Sequence, residues 1–480
     1  MRNKIYKNIA LALCIIFGAS ACDDFVGNGF NDNPNAVTSV SLESLLPVGI
    51  ESAASLQYQV SFTTSQVTQQ MYGGGASDHE PFSLPGSWTE AYLVSLLNMD
   101  QVVKQATEEG VPHYAGVAQV LMAQTVGMVT DTWENAPYSE ALSGFTNPQP
   151  AYDSQEDLYV AIDELLTSAL VNLSTPAVEG VEIGSEDLVY EGDIAKWIKL
   201  AYSLKARYAI HLTNKGATAA ADEALSAITS GFDSNDDDFE LIYNDVNKNP
   251  WHLTPVLANN TGNITIYPGA YFIDEMNGVN FPFTTITEDP RLRVLTTPND
   301  PSFTTLVGTS LDGTQLGNTN LSETSYNTTV DAPVTVMGYA ELKFIEAEAY
   351  LIKNDNVNAY SAYLEGISAT MEKLGVDGSS YLADASVSVG AANLTMALIM
   401  KEKYIALFLS PETWVDMRRM GYDTDVYPNF LAPPVEIQDS EVPEGAFPQR
   451  ALYPPDEYSR NNASVTAAFN SFADQMWRDQ

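Results

Sequence analysis

Between Val246 and about Pro333 the chain loses regular patterning. There it carries Trp251, His252, Tyr267, Tyr271, Phe272, Phe281, Phe283 and Tyr326 among many Asn, Thr, Gly and Pro residues. Rings on loops beside amides and hydroxyls are how proteins hold sugars. The ring covers the apolar face of a pyranose, and the amides and hydroxyls take its OH groups. Long irregular stretches inside a folded chain commonly serve as functional loops. On this argument the candidate ligand-binding residues are Trp251, Asn263, Tyr267 and Tyr271, joined by Phe82 from the earlier loop MYGGGASDHEPFSLPGSW. Taken singly, each ring also fits the role of a loop anchor.

Other chemistries find less support. A glycoside hydrolase needs two carboxylates about 5–10 Å apart; Glu80, Asp274 and Glu275 lie near aromatics but within no recognisable motif. No G-x-S-x-G occurs, and His79, His113, His211 and His252 show no metal-binding spacing. Gly73-Gly74-Gly75 lacks the strand, helix and Lys of a phosphate-binding loop. The run DSNDDDFE, Asp233 to Glu240, fails as an EF-hand because Asp238 stands where Gly is needed and Asn244 where a bidentate Glu is needed. It reads as a solvated acidic turn. The expectation is therefore a binding protein without catalytic residues, metal or cofactor.

The N-terminus reads as an address. Arg2, Lys4 and Lys7 precede an apolar run from Ile9 to Phe17, and small residues then lead to Cys22. The ending Ala19-Ser20-Ala21-Cys22 resembles a bacterial lipobox, with Ala19 in place of the usual Leu. Residues 1–21 are then a lipoprotein signal peptide, Cys22 the lipidation site, and 22–41 a lipidated tether. With Cys14 removed, Cys22 has no internal partner and serves as a membrane anchor. Asp23-Asp24 resembles an acidic surface-export signal.

With 62 acids against 22 basic residues, the net charge of -40 excludes nucleic acid as a partner. Against that background, Asp193 to Lys215 concentrates Lys196, Lys199, Lys205, Arg207 and Lys215, and from Ile194 to Ala221 there is no acid. Ile194, Trp197, Ala201, Leu204 and Tyr208 recur at helical spacing, and Asp193 supplies an N-cap. A central helix is expected whose cations hold together the acidic elements around it. Further helices are expected at about Leu42 to Met71, Trp88 to Glu109, Tyr114 to Thr132, from Asp153 as N-cap, Gly338 to Asn354, Val357 to Leu374, along Leu394 to Leu409, and after Ser410-Pro411.

Taken together, the lipobox, Asn33-Pro34-Asn35, DTWENAPYSEAL, AYDSQEDLY, GDIAKWIKLAYSLKARYAIHL, YAELKFIEAEAYL, KEKYIALFLSPETWVDMRR and RALYPPDEYSRNN occur in an order and spacing that resembles the SusD/RagB-like nutrient-binding outer-membrane lipoproteins, SusD-like subgroup. The resemblance implies a mainly α fold, with tetratricopeptide-like helix pairs forming a superhelical scaffold, long irregular loops and a few short strands. On that basis residues 42–480 are a single domain with a loop-rich insertion at about 246–333. It also implies a surface-exposed lipoprotein that captures an oligosaccharide or a peptide and delivers it to a SusC-like TonB-dependent transporter barrel. The alternatives are a lipid-anchored glycoside hydrolase and a structural or adhesion protein. The matched motifs are scaffold, so no binding residue transfers from the resemblance.

Overall fold

The computed structural model describes residues 40–480 apart from 74–75, 259–260, 263–265 and 441. The segments expected to be a signal peptide (1–21) and all but the end of a tether (22–41), with the expected lipidation site Cys22, and Asn263 lie outside the described residues. The first helix, α1 (Leu42–Val67), lies between two hydrophobic clusters. Its Leu46, Ile50, Ala53 and Leu56 enter one cluster, while Val67, Tyr58 and Phe62 pack into the other.

The first cluster is built by α2 (Leu97–Glu109), α3 (Pro112–Trp133), α4 (Gln155–Leu173), α5 (Ile194–Ile210) and α6 (Thr213–Ile228). Consecutive members pack pairwise, α3 on α4 and α5 on α6, in the tetratricopeptide-like manner. A short helix Pro85–Thr89 and a π-helical stretch Glu90–Leu96 run straight into α2, where a plain α-helix was expected. At the start of α4 the N-cap is Ser154, whose hydroxyl accepts from Asp157 N at 3.1 Å. Asp153 instead accepts the Tyr138 and Ser139 amides, each at 2.8 Å, tying the preceding turn down.

Just past α1, β1 (Met71–Tyr72) pairs antiparallel with the distant β3 (Tyr267–Pro268); after α6, β2 (Phe239–Leu241) pairs with β6 (Val334–Met337) and β4 (Thr297–Pro298) with β5 (Thr319–Asn320). Around them lie α7 (Ala270–Met276), α8 (Tyr339–Ile352), α9 (Asn356–Lys373), α10 (Met396–Ala406) and α11 (Glu412–Arg419). These helices carry the second cluster, in which Phe344 of α8 and Tyr363 of α9 are fully buried. Gly366 lets α9 close on α8, since a Cβ there would meet the Phe344 ring at 2.8 Å. Among the described residues no helix is long and apolar enough to cross a membrane.

The cations of α5 reach acids on four neighbours. Asp193 caps the helix through the Ala195 and Lys196 amides. Lys199 Nζ lies 2.8 Å from Asp237 and 3.0 Å from Asp233. Lys205 pairs with Asp163 of α4. Arg207, 1% exposed, holds Glu341 of α8 in a two-point grip at 2.7 and 2.6 Å and donates to the Val336 carbonyl at 2.8 Å. The run DSNDDDFE is thus solvated only in its first half, where Asp233, Ser234 and Asp236 are exposed. Asp237 and Asp238 are buried, and Asp238 accepts from Lys373 at 2.6 Å and from the Tyr339 amide at 2.6 Å.

Below Arg207 the His211 ring sits between two carboxylates, Nδ1 3.4 Å from Asp131 and Nε2 3.1 Å from Glu412. Desolvation works against its charge, but Asp131 and Glu412 outweigh it and raise its pKa. Asp131 also pairs with Arg478, and Glu412 lies 3.6 Å from Arg207. The negative charge that a metal would need at these three side chains is already met by two guanidinium groups, so the cluster reads as a buried ion-pair network. It joins residues from DTWENAPYSEAL, the α5 segment, SPETWVDMRR and the C-terminal segment.

Candidate glycan-binding face

The exit of α1 is fixed by a buried amide. Gln70 Nε2 donates to the Tyr404 and Leu407 carbonyls at 3.0 and 3.2 Å, and its Oε1 accepts from Leu409 N at 2.8 Å. Held there, β1 pairs with β3 so that Met71 faces Pro268 and Tyr72 faces Tyr267. The next residue, Gly269, donates to the Gln70 carbonyl at 3.0 Å. A Cβ on Gly269 would run into the Gln69 carbonyl, so only glycine permits this approach. On the far side Ala270 N donates to Thr309 O at 2.8 Å, and Thr309 N to Pro268 O at 2.9 Å. Three chain segments distant in sequence thereby form one small platform.

A recess opens on this platform, lined by Gln69, Met71, Tyr72, Tyr271, Thr309 and Leu311. Tyr72 and Tyr267, directly opposed in an antiparallel register, project from the same face, and both are half-buried. The turn Ser310 to Gln315 closes the rim. Its Asp312 accepts from Ser310 Oγ at 2.6 Å, Thr314 N at 3.0 Å and Thr314 Oγ1 at 2.8 Å. Gly313 is packed against the Tyr72 hydroxyl, leaving no room for a side chain. Desolvation first, then the nearby charges of Asp78 and Asp312, raise the Tyr72 pKa, so the phenol keeps its proton and remains a donor. On another side Gln69 Nε2 donates to the Leu431 carbonyl at 2.7 Å, and the Leu431 side chain is exposed. Half-open phenol rings beside a fixed carboxylate and an apolar edge can cover a sugar face and take its hydroxyls.

Of the expected residues that are described, Tyr267 alone stands on this platform with part of its surface open. Tyr271 lines the recess floor but is 6% exposed, its ring packed against Tyr404 at 5.7 Å and Phe430 at 5.0 Å. Trp251 is 3% exposed and packs edge-on against Tyr58 at 5.2 Å. Phe82 is wedged between Trp414 at 5.9 Å and Phe472 at 5.6 Å. Trp251 and Tyr271 are buried anchors, because the second cluster draws its apolar surface from the loops as well as from the helices, whereas Phe82 packs on the clusters but stays half-buried. Reading by loop position overlooked Tyr72, Asp312 and Gln69. The available signal was Met71-Tyr72 immediately before the glycine run, an extended pair held between a helix end and a forced turn.

A second cavity of about 100 Å³ lies between the two clusters, bordered by Gln57, Trp251, Tyr326, Lys373, Phe408 and Ser410. Its cation is already engaged, since Lys373 lies 2.6 Å from Asp238 and 2.8 Å from Glu240. Of the carboxylates near aromatics, Glu80 is exposed, Asp274 half-buried and Glu275 buried.

A family model described as "starch-binding associating with outer membrane" matches residues 34–454. The chain belongs to this SusD-like family. Solved SusD-like structures share the fold over nearly their whole length. A SusD/RagB family protein from Bacteroides thetaiotaomicron is 24% identical with a TM-score of 0.72, covering 92% of this chain and 99% of its own. A SusD homolog from Bacteroides fragilis is 20% identical with a TM-score of 0.73, covering 92% and 100%. A chitin-binding SusD homolog from Flavobacterium johnsoniae is 19% identical with a TM-score of 0.72, covering 91% and 98%. No curated protein sequence matches the chain.

Proposed function

We propose that this SusD-like protein binds an oligosaccharide on the face formed by Tyr72, Tyr267 and the Asp312 turn, beside the recess lined by Tyr72, Thr309 and Leu311. In this reading residues 1–21 direct export, Cys22 carries the lipid that anchors the protein on the outer membrane, and 22–41 is a tether. The bound glycan is handed to a SusC-like TonB-dependent transporter, without chemistry. The observation that carries the reading is the cross-strand tyrosine pair beside Asp312, in a chain whose family is described as starch-binding. That a structural relative is chitin-binding supports a neutral glycan as the class of cargo. The strongly acidic surface disfavours polyanionic glycans.

Two measurements test it. Calorimetric titration of the soluble chain with malto- and chito-oligosaccharides is expected to give saturable binding that is lost in a Tyr72→Ala, Tyr267→Ala double variant. Purification of the lipidated protein from native outer membranes is expected to recover a large barrel in stoichiometric amount. Binding untouched by the double variant would move the site elsewhere. Recovery of the lipoprotein alone, where other membrane complexes survive, would remove the transporter from the account.

A further inference from the structure

We infer that Glu275 is a proton-controlled latch that holds the segment carrying Tyr427 to Leu431 against α7. This segment flanks the recess: Phe430 packs on Tyr271, and the Leu431 carbonyl accepts from Gln69. Glu275 lies one helical turn beyond Tyr271 and is 1% exposed. Its Oε1 accepts from Asn280 Nδ2 at 3.0 Å, and Asn280 Oδ1 in turn accepts from Asn429 Nδ2 at 2.9 Å. Its Oε2 makes no hydrogen bond of good geometry among the described residues, although the Tyr271 phenol lies close enough to favour the anion. A relay of two amides thus connects one buried carboxyl to an exposed loop.

The surroundings leave this carboxyl without a cation of its own. Tyr271 and Asp274 share its helix, Lys401, Glu402 and Tyr404 face it from α10, and Tyr427 and Asn280 approach from the loops. Arg291 is held by Asp289 at 2.6 Å and Glu402 at 2.5 Å, and Lys401 lies 3.2 Å from Glu402 and donates to the Tyr381 hydroxyl at 2.8 Å. Those two cations and two anions balance, so ionised Glu275 is one buried negative charge in excess. Burial pushes its pKa up to about 7, with Glu402 adding to the rise and Tyr271, Lys401 and Asn280 opposing it. The sign follows. The closed arrangement takes up a proton that the open one releases, so closure is favoured at acidic pH and weakens as pH rises through the folded value. Displacement of the exposed segment at Asn429, together with its partner Asn280, opens a route to water for the anion.

The test is amide hydrogen exchange on the whole folded chain at pH 5.5 and 8.5, corrected for intrinsic rates. Protection in peptides covering 277–280 and 427–431 is expected to fall by about tenfold or more at the higher pH. Glu275→Gln, which mimics the neutral acid, is expected to hold high protection at both values. Asn429→Gly suits the backbone, whose φ is 62° there, and removes the amide, so protection is expected to be low at both. Equal protection of the wild type at the two pH values, or an unchanged pH response in Glu275→Gln, overturns the latch. Wild-type protection at pH 5.5 retained in Asn429→Gly overturns the relay, and both readings stand even if the Gln variant fails to fold. A role in ligand capture rests on the recess being the glycan site. Exchange needs no ligand, so loss of the latch with intact glycan binding and the reverse outcome are distinct results.

Discussion

Around α5, segments distant in sequence are joined by buried charges; around the recess they are joined by backbone carbonyls and short polar caps. Arg207, Glu341, Glu412, His211, Asp131 and Arg478 form the first kind of junction, each within reach of an opposite charge and each nearly inaccessible to water. Gln70, Gly269, Thr309 and Asp312 form the second, with no ion pair among them. A charge network of this sort tolerates no change of partner, because removing one member strands another in a low-dielectric interior. A network of backbone contacts tolerates changes of side chain wherever the main chain keeps its course. The helical half is therefore suited to constancy and the loop half to variation of ligand.

Breaking the comparison at its strongest point should have the largest effect. Arg207→Ala leaves Glu341 and Glu412 short of their cation and is expected to cost about 3–5 kcal/mol or to prevent folding. Denaturant titration reads this directly. Less severe is acidification. Lys403 and Arg419 outweigh desolvation and bring the Asp416 carboxyl down to about 2, and Asp131 and Glu412 are likewise lowered. These groups stabilise the fold above the unfolded carboxylate range, and that stability is lost as pH falls through their folded values, about 2 kcal/mol for Asp416. His211 and Glu275 have the opposite sign: their pKa values are raised, and their contribution is full at low pH and lost as pH rises through the folded values. A plot of Tm against pH should then peak on the acidic side of neutrality and decline in both directions. A peak at pH 8 or above would contradict the assignment.

In the loop half, Gly269→Ala sets a methyl against the Gln69 carbonyl and is expected to cost about 1–3 kcal/mol while deforming the recess. Tyr72→Ala with Tyr267→Ala should leave Tm nearly unchanged and weaken glycan affinity by about tenfold or more, or 1.4 kcal/mol. A large loss of stability in that pair would make the two rings structural and erase the contrast. The smallest effect is expected at the exposed pair of Lys104 and Asp100, 2.5 Å apart on one helix face, where Lys104→Ala should move stability by no more than about 0.5 kcal/mol.

Much of the helical half was legible in the sequence. Asp193 as a cap, the apolar spacing from Ile194 to Tyr208 and the row of cations are local signals, and a helix translates them directly into faces. Even there the partners were not legible: nothing in DSNDDDFE announces that Asp237 and Asp238 are buried against Lys199 and Lys373. The site was less legible still. Trp251 and Tyr271 have the same loop setting as Tyr267, yet both are covered by rings that arrive from elsewhere in the chain.

By itself the sequence determined what depends on neighbours along the chain: the helices, the acidic surface, the signal-like N-terminus, and the ordered motifs that resemble one family. Tertiary structure alone decided which aromatic rings are open and which carboxylates keep a cation. Exposure and charge compensation are properties of segments that meet in space. The meeting of residues 69–72, 267–271 and 307–315 is set by hydrogen bonds between main-chain groups, which every residue possesses and no side-chain pattern records.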